Sequence, residues 1–74
     1  MNIGDTYKHF KGNTYTILNL ARDSETTEEV VVYQGLHTCP KFGDKPIWIR
    51  SKKEFEKKIE FQGKLIQRFT KVNT

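Results

Sequence analysis

Three consecutive valines constrain the fold of this chain more than any other feature. They lie in the segment EVVVYQGL, residues 29–36. Branching at Cβ restricts the χ1 torsion of valine in a helix and suits the pleated backbone of a strand. The segment is therefore predicted to be a β-strand, and other β-rich runs precede and follow it.

Turn-forming residues separate the remaining predicted strands. Gly12 can supply the positive φ that a tight hairpin needs, and Asn13 tolerates it. Two prolines and a glycine make residues 37–46 a predicted loop, and QGK at 62–64 a predicted turn. The other predicted strands are TYKHF (6–10), TYTILNLA (14–21), IWIR (47–50) and LIQRFTKV (65–72).

One segment has a helical pattern instead. Ser51 is followed three residues later by Glu54, which is the spacing of a capping box. Phe55 and Ile59 are four residues apart and would share one helical face. The pattern predicts a short helix over about residues 52–59.

The order of these elements predicts a mainly β fold in a single domain, residues 1–74. We expect a small, SH3-like, partly open barrel of about five antiparallel strands, with the helix before the last strand. The second strand has apolar residues on both faces, as a strand in a strongly curved sheet does. An OB-type barrel is the nearest alternative, but it usually needs a longer chain.

Size and composition favour a binding function over catalysis. A chain of 74 residues leaves little room for a deep pocket behind its core. Neither a signal-peptide pattern nor a long apolar run is visible, and a single cysteine excludes an internal disulfide. A soluble, cytoplasmic protein that does not associate with membranes is the expectation.

The positive charge is concentrated in the last third of the chain. Residues 1–49 carry five basic and six acidic side chains, whereas residues 50–74 carry eight basic and three acidic ones. This asymmetry suggests an anionic partner for the C-terminal third. The lysines around residues 52–58 can equally be a solvated helix face with ion pairs.

Separate motif blocks along residues 4–70 resemble a bacterial family known as domain of unknown function 1653. The blocks are G-x-Y-x-H-x-K-G-x-x-Y, A-x-x-S-E-T, V-Y, W-x-R, F and R-F. Ser51 stands where the family has proline, and the 37–46 loop is longer than the family's usual connection. The resemblance implies a compact domain and no particular reaction. The matching residues are Gly4, Tyr7, His9, Lys11, Gly12, Tyr15, Ala21, Ser24, Glu25, Thr26, Val32, Tyr33, Trp48, Arg50, Phe55, Arg68 and Phe69.

The S-E-T block at residues 24–26 has two interpretations. On the first, the Asp, Ser and Thr side chains of RDSETTEE (22–29) can hydrogen-bond to the local backbone and hold a turn between two strands, with Glu25 and Thr26 closing the hairpin. Alternatively, Glu25 and Thr26 belong to a site, in which the Glu25 carboxylate pairs with an arginine. The candidate partners are Arg22, Arg50 and Arg68.

Four further candidate positions combine aromatic and basic side chains. His9 is either a hydrogen-bonded structural residue or a catalytic base, although no nucleophile is placed beside it by the sequence. Trp48 and Arg50 are two residues apart and share one strand face. Trp48 is therefore either a core residue or part of an exposed platform with Arg50, and Arg68 beside Phe69 repeats the arginine–aromatic pattern.

Three functions remain open on these grounds. The first is a non-catalytic binding or adaptor module for a protein segment or a small ligand, with no cofactor. The second is a single-stranded nucleic-acid binder, and the third, least favoured, is an enzyme. His37 and Cys39 with His9 are too few for a four-ligand zinc site, so no metal is expected. The nucleic-acid hypothesis uses four stacking rings, which are Tyr7, Tyr15, Tyr33 and Trp48.

Overall fold

Short antiparallel strands make up most of the computed structural model, which describes residues 1–72. The predicted mainly β fold with one short helix is confirmed. The last two residues of the predicted domain lie outside the described range. In chain order the elements are β1 (Thr6–His9), β2 (Thr14–Arg22), β3 (Glu29–Gly35), β4 (Thr38–Cys39), β5 (Gly43–Asp44), β6 (Ile47–Ser51), α1 (Lys52–Glu56), β7 (Lys58–Phe61), β8 (Lys64–Gln67) and β9 (Phe69–Lys71).

A five-stranded antiparallel sheet forms the body of the molecule, with strand order β6-β3-β2-β1-β9. Its pairing is regular except in β2, where the register with β3 shifts between Ile17 and Asn19. Such a bulge adds twist and bends the strand. The edge strands β6 and β9 are not hydrogen-bonded to each other, so the sheet is not closed into a barrel.

The core lies on one face of this sheet. Alternate residues of β3, Val31 and Tyr33, are buried there together with Ile17 from β2 and Phe69 from β9. Phe55 of the helix is 1% exposed and packs onto these four side chains to complete the cluster. The helix therefore closes the concave side of the sheet with one side chain.

The helix begins where the sequence predicts and ends earlier. The Ser51 hydroxyl accepts a hydrogen bond of 3.2 Å from the backbone N–H of Glu54, which confirms the N-cap. The helix stops at Glu56, because Lys57 is extended and residues 58–61 pair with residues 64–67. Ile59 thus belongs to a strand and not to the helical face, and the predicted range 52–59 is too long by three residues.

The C-terminal strand prediction also needs correction. Residues 65–72 were expected to form one closing strand, but the chain divides there into β8 and β9. Gln62 and Gly63 both have positive φ, at 52° and 79°, as the centre of a type I′ hairpin turn requires. A separate hairpin, β7–β8, therefore lies between the helix and the last strand.

The predicted loop at residues 37–46 contains a small hairpin of its own. Thr38 pairs with Asp44 and Cys39 with Gly43, across four residues of strand in total. The Gln34 amide also donates a 3.0 Å hydrogen bond to the carbonyl of Lys45.

In residues 1–72, no helix has the length and apolar character needed to span a bilayer.

Candidate functional site

Strand pairing brings four of the eight predicted site residues to the concave face of the sheet. Tyr33 lies opposite Ile17 on one side and opposite Trp48 on the other. His9 lies opposite Phe69. Since residues in register share a face, strands far apart in sequence present their side chains to one another across the curved sheet.

Phe69 is the centre of this arrangement. Its ring stacks on that of Phe55 with centroids 4.0 Å apart and an interplanar angle of 4°. His9, Tyr33 and Tyr15 approach it edge-to-face at 4.9, 5.6 and 5.8 Å. Edge-to-face contacts of this kind add a favourable electrostatic term to the burial of apolar area. Phe69 was part of the family resemblance but not a predicted site residue.

Arg50 reaches across the concave face from β6 towards β9. Its Nε donates a 3.3 Å hydrogen bond to the Tyr33 hydroxyl, and its guanidinium carbon lies 5.8 Å from the centroid of the Phe69 ring. Within residues 1–72, Arg50 takes part in no salt bridge. A half-buried guanidinium is thus held by a hydroxyl and a ring, with no carboxylate to balance it.

His9 and Arg68 add to the positive character of this region. Burial lowers the pKa of His9, and the positive charges of Arg50, Arg68 and Lys11 lower it further. The Nδ1 atom of His9 accepts a 3.1 Å hydrogen bond from the backbone N–H of Lys11. The imidazole is therefore held in its neutral form near the arginines.

Arg68 is only partly neutralised. Its side chain is 22% exposed, and one terminal nitrogen lies 4.0 Å from a carboxylate oxygen of Glu54. Its Nε is buried and has no hydrogen-bond acceptor among the described residues. We refer to Arg50, Arg68, His9 and Tyr33, grouped around Phe69, as the arginine site.

Trp48 extends the same face beyond Arg50. It is half-buried and packs against the core cluster, in agreement with the core interpretation, but it also has an exposed neighbour. The Phe42 ring meets it edge-to-face at 5.2 Å and 85°, and Phe42 is 56% exposed. The long loop thus places an aromatic ring beside the predicted platform.

Tyrosine rings were predicted to be stacking groups for nucleic acid, and their positions differ from that expectation. Tyr33 is 5% exposed, and Tyr7 and Tyr15 are half-buried and pack against the core. Tyr33 meets Tyr15 and Phe55 edge-to-face at 5.3 and 5.4 Å. Tyr15 and Tyr33 thus contact each other and Tyr7 contacts Phe55, so the three rings do not form an open platform.

The S-E-T block is a turn, and the predicted pairing of Glu25 with an arginine is wrong. No salt bridge involves Glu25 within the described residues, and Arg22 and Arg68 pair with Glu29 and Glu54 instead. The Thr26 hydroxyl accepts a hydrogen bond from the backbone N–H of Glu28. Both Glu25 and Thr26 therefore lie outside the arginine site.

Asp23 holds this turn, as the turn interpretation of residues 22–29 expects of its side chain. Its carboxylate accepts hydrogen bonds from the backbone N–H groups of Glu25 and Thr26, at 2.8 and 3.1 Å. These two bonds lower the pKa of Asp23. The turn also places Thr27 at a φ of 61°, with the Thr27 carbonyl accepting a 2.8 Å bond from Arg22.

A cleft of about 430 Å³ lies between this turn and the helix. The Glu29 carboxylate lies within it, with one oxygen 3.5 Å from a terminal nitrogen of Arg22 and the other 3.3 Å from the Nζ of Lys52. Three basic and three acidic residues line the cleft, so their charges balance. Arg22 therefore serves an ion pair at the turn and does not belong to the arginine site.

His37 and Cys39 are placed by the small hairpin. The His37 ring lies edge-on to Tyr15 at 5.7 Å, and Cys39 is a half-buried free thiol. Across the described part of the chain, no three potential metal-ligating side chains come together.

Comparison with known proteins agrees with the resemblance seen in the motif blocks. The model of the family described as "Protein of unknown function (DUF1653)" matches residues 5–71. No curated protein matches the chain. A crystal structure of a DUF1653 protein from Bordetella bronchiseptica superimposes with a TM-score of 0.80 at 32% sequence identity, covering 97% of this chain and 87% of that one. The chain therefore belongs to the DUF1653 family.

Proposed function

We propose that this domain is a non-catalytic binding module whose ligand presents a carboxylate or phosphate group to Arg50. The observation that carries the proposal is the half-buried Arg50 guanidinium, which has no acidic partner among residues 1–72. Charged groups withdrawn from water are usually paired. An anionic ligand would supply the missing partner.

The chemistry of the guanidinium suits such a ligand. Its planar fork matches the two oxygens of a carboxylate or phosphate, and two parallel hydrogen bonds give both strength and orientation. The Arg50 Nε–H already donates a hydrogen bond to the Tyr33 hydroxyl, so the two terminal nitrogens of Arg50 remain for the ligand. Contact with Phe69 restricts the side chain before binding, which lowers the entropy lost when the ligand arrives.

The rest of the arginine site supports the same proposal. Arg68 contributes a second positive charge, only loosely compensated by Glu54 at 4.0 Å. His9, held neutral by burial and by the nearby arginines, can take up a proton when an anion reduces the local positive potential. Affinity for an anion should therefore increase as the pH falls towards 6.

The two functions weighed against this one have less support. A single-stranded nucleic acid would use the tyrosines as stacking groups, but these rings pack in and around the core. For an enzyme, His9 is the candidate base. Its one acceptor nitrogen in the neutral form, Nδ1, already accepts a hydrogen bond from the backbone N–H of Lys11 and so is not available to take a proton from a substrate. Binding of an anionic group is the function that the geometry favours.

Titration with simple anions tests the proposal. The probes are inorganic phosphate and acetate, added to the ¹⁵N-labelled protein at constant ionic strength with chloride as the reference salt. Saturable chemical-shift changes are expected at the Arg50 Nε–H and at the backbone amides of Tyr33, His9 and Phe69. Arg50→Met should abolish them, and Arg50→Lys should weaken them.

Arg22→Met is the matched control, because Arg22 is also a strand arginine but is exposed and paired with Glu29. It should leave the titration unchanged. The proposal fails if neither anion gives a saturable response, or if the response survives Arg50→Met. It also fails if an oligothymidylate binds with a steep salt dependence that Arg50→Met does not alter, since that result would indicate nucleic acid held elsewhere.

A further inference from the structure

We infer that the ligand of the arginine site carries a flat ring next to its anionic group. This inference rests on the proposed function and names the chemical class of the ligand more closely. The class is an aromatic carboxylate or aryl phosphate, or a larger molecule that ends in one. The evidence is the aromatic pair of Trp48 and Phe42 beside Arg50.

The strand geometry sets the spacing. Trp48 and Arg50 are two residues apart in β6, so their side chains lie on the same face, roughly 7 Å apart at the backbone. Tyr33 lies opposite Trp48 and bonds to Arg50, so it ties the two positions together. The guanidinium reaches from β6 towards Phe69, so a ligand bound to it can extend back along the same face towards the indole ring.

Phe42 is an exposed aromatic residue on an ordered loop. It is 56% exposed, yet its ring keeps an edge-to-face contact of 5.2 Å with Trp48. The loop is held by the β4–β5 pairing, by a hydrogen bond from Lys45 to the carbonyl of His37, and by one from Gly35 to Pro46. A bulky ring kept in the solvent by an ordered loop is available for contact with a ligand.

Charge near this pair also favours an anion with a ring. The Lys41 ammonium lies 5.5 Å from the centroid of Phe42, so a further cation lies beside the aromatic pair. The exposed isoleucines of β6, Ile47 and Ile49, alternate with Trp48 and Arg50 and so lie on the opposite face of the sheet. The concave face therefore combines rings and cations, whereas the other face of β6 is aliphatic.

Matched probe pairs test the inference. Acetate is compared with phenylacetate, and inorganic phosphate with phenyl phosphate, so that each pair differs by one ring. The ring should tighten binding by about three- to ten-fold, the size expected of one aromatic contact. The carboxylate and phosphate pairs distinguish the two kinds of anionic group.

Phe42→Ala should remove the gain from the ring and leave the affinity for acetate unchanged. Phe61→Ala is the control, because Phe61 is similarly exposed at 44% but lies on the β7–β8 hairpin, where its ring contacts Phe10. It should preserve the gain. Circular dichroism of each variant verifies that the fold is retained.

The outcomes separate this inference from the proposed function. If phenylacetate binds no more tightly than acetate, or if the gain survives Phe42→Ala, the ring is not recognised at the aromatic pair and the inference is wrong. In either case, saturable acetate binding that depends on Arg50 leaves the proposed function standing. If no probe of either pair binds, the proposed function and the inference fail together.

Discussion

At the scale of single residues, the Ser51 hydroxyl and the Asp23 carboxylate each stabilise the local chain conformation by accepting hydrogen bonds from backbone N–H groups. Ser51 caps the helix because an N-cap needs only a hydroxyl and a backbone N–H three residues away. Glu25, on the same turn as Asp23, forms no salt bridge within the described residues, although charge, strand order and the family pattern all pointed to an arginine partner, because none of the three gives a distance. Its neighbour Asp23 bonds to the backbone of the turn, and its oxygen needed only to reach two residues along the chain.

The cap gives the first prediction. Ser51→Ala should lower the free energy of unfolding by about 0.5–2 kcal/mol, because the N–H of Glu54 loses its acceptor. Chemical denaturation measures the change, and Ser24→Ala, at an exposed turn position, is the control. A denaturation midpoint that Ser51→Ala leaves unchanged would show that the cap contributes nothing.

The turn gives a second prediction about two acidic neighbours. Asp23→Ala should lower the denaturation midpoint, because two backbone N–H groups lose their acceptor, whereas Glu25→Gln should leave it in place. The lowered pKa of Asp23 means that its contribution is present above the ordinary pKa of an aspartate and is lost as the pH falls below it. Equal effects of the two substitutions would contradict this account.

His9 gives a third prediction, about pH. Since its pKa is lower in the folded protein than the usual value of about 6.5, the unfolded chain takes up a proton first as the pH falls. Stability should therefore decrease between about pH 7 and pH 5.5, and His9→Gln should flatten this decrease. Denaturation midpoints for both proteins across that range measure the effect, and parallel curves would refute the prediction.

At the scale of elements, the strands were largely predictable and the end of the helix was not. Runs such as EVVVY carry a strong strand preference that the tertiary structure agrees with. The segment KKIEF continues the helical spacing, but strand pairing with KLIQ outweighs it, because two short hairpin strands satisfy each other's backbone groups. The β4–β5 pairing within a loop rich in proline and glycine gave no comparable signal.

The β7–β8 turn gives a prediction at this scale. Gly63→Ala should destabilise the protein by about 1–2 kcal/mol, because its φ of 79° strains a residue with a side chain although the surrounding space is open. Gln62→Asn should stabilise it slightly, since Asn-Gly is the preferred type I′ pair. Thermal unfolding monitored by circular dichroism compares the two, and the opposite order would mean that the turn is of another type.

At the scale of the whole molecule, the arginine site depends on long-range register that the sequence does not reveal. Arg50 reaches Tyr33 because β6 pairs with β3 in one register, and that register is set across the 36–46 loop. Phe69 joins them only because the last strand pairs with the first. The individual residues were predictable as candidates, while their assembly around one ring required the fold.

Phe69 gives the prediction for the whole molecule. Phe69→Ala should cost about 3–5 kcal/mol, which is much of the roughly 4–11 kcal/mol expected for a domain of this length. We expect poorly dispersed NMR spectra for this variant. Phe61→Ala, at an exposed position, should keep native dispersion, and a well-folded Phe69→Ala protein would show that the core does not depend on this ring.

Phe69 is a core residue and also the ring that Arg50 covers, and this has a practical consequence for finding the natural ligand. A molecule that immobilises Arg50 also stabilises its contact with Phe69, which joins the edge strands β6 and β9. Such a molecule binds only the folded form. Its presence should raise the melting temperature by an amount that grows with the logarithm of its concentration. A library of metabolites can therefore be screened by dye-based melting in multiwell plates, with Arg50→Met as the counter-screen that removes nonspecific stabilisers.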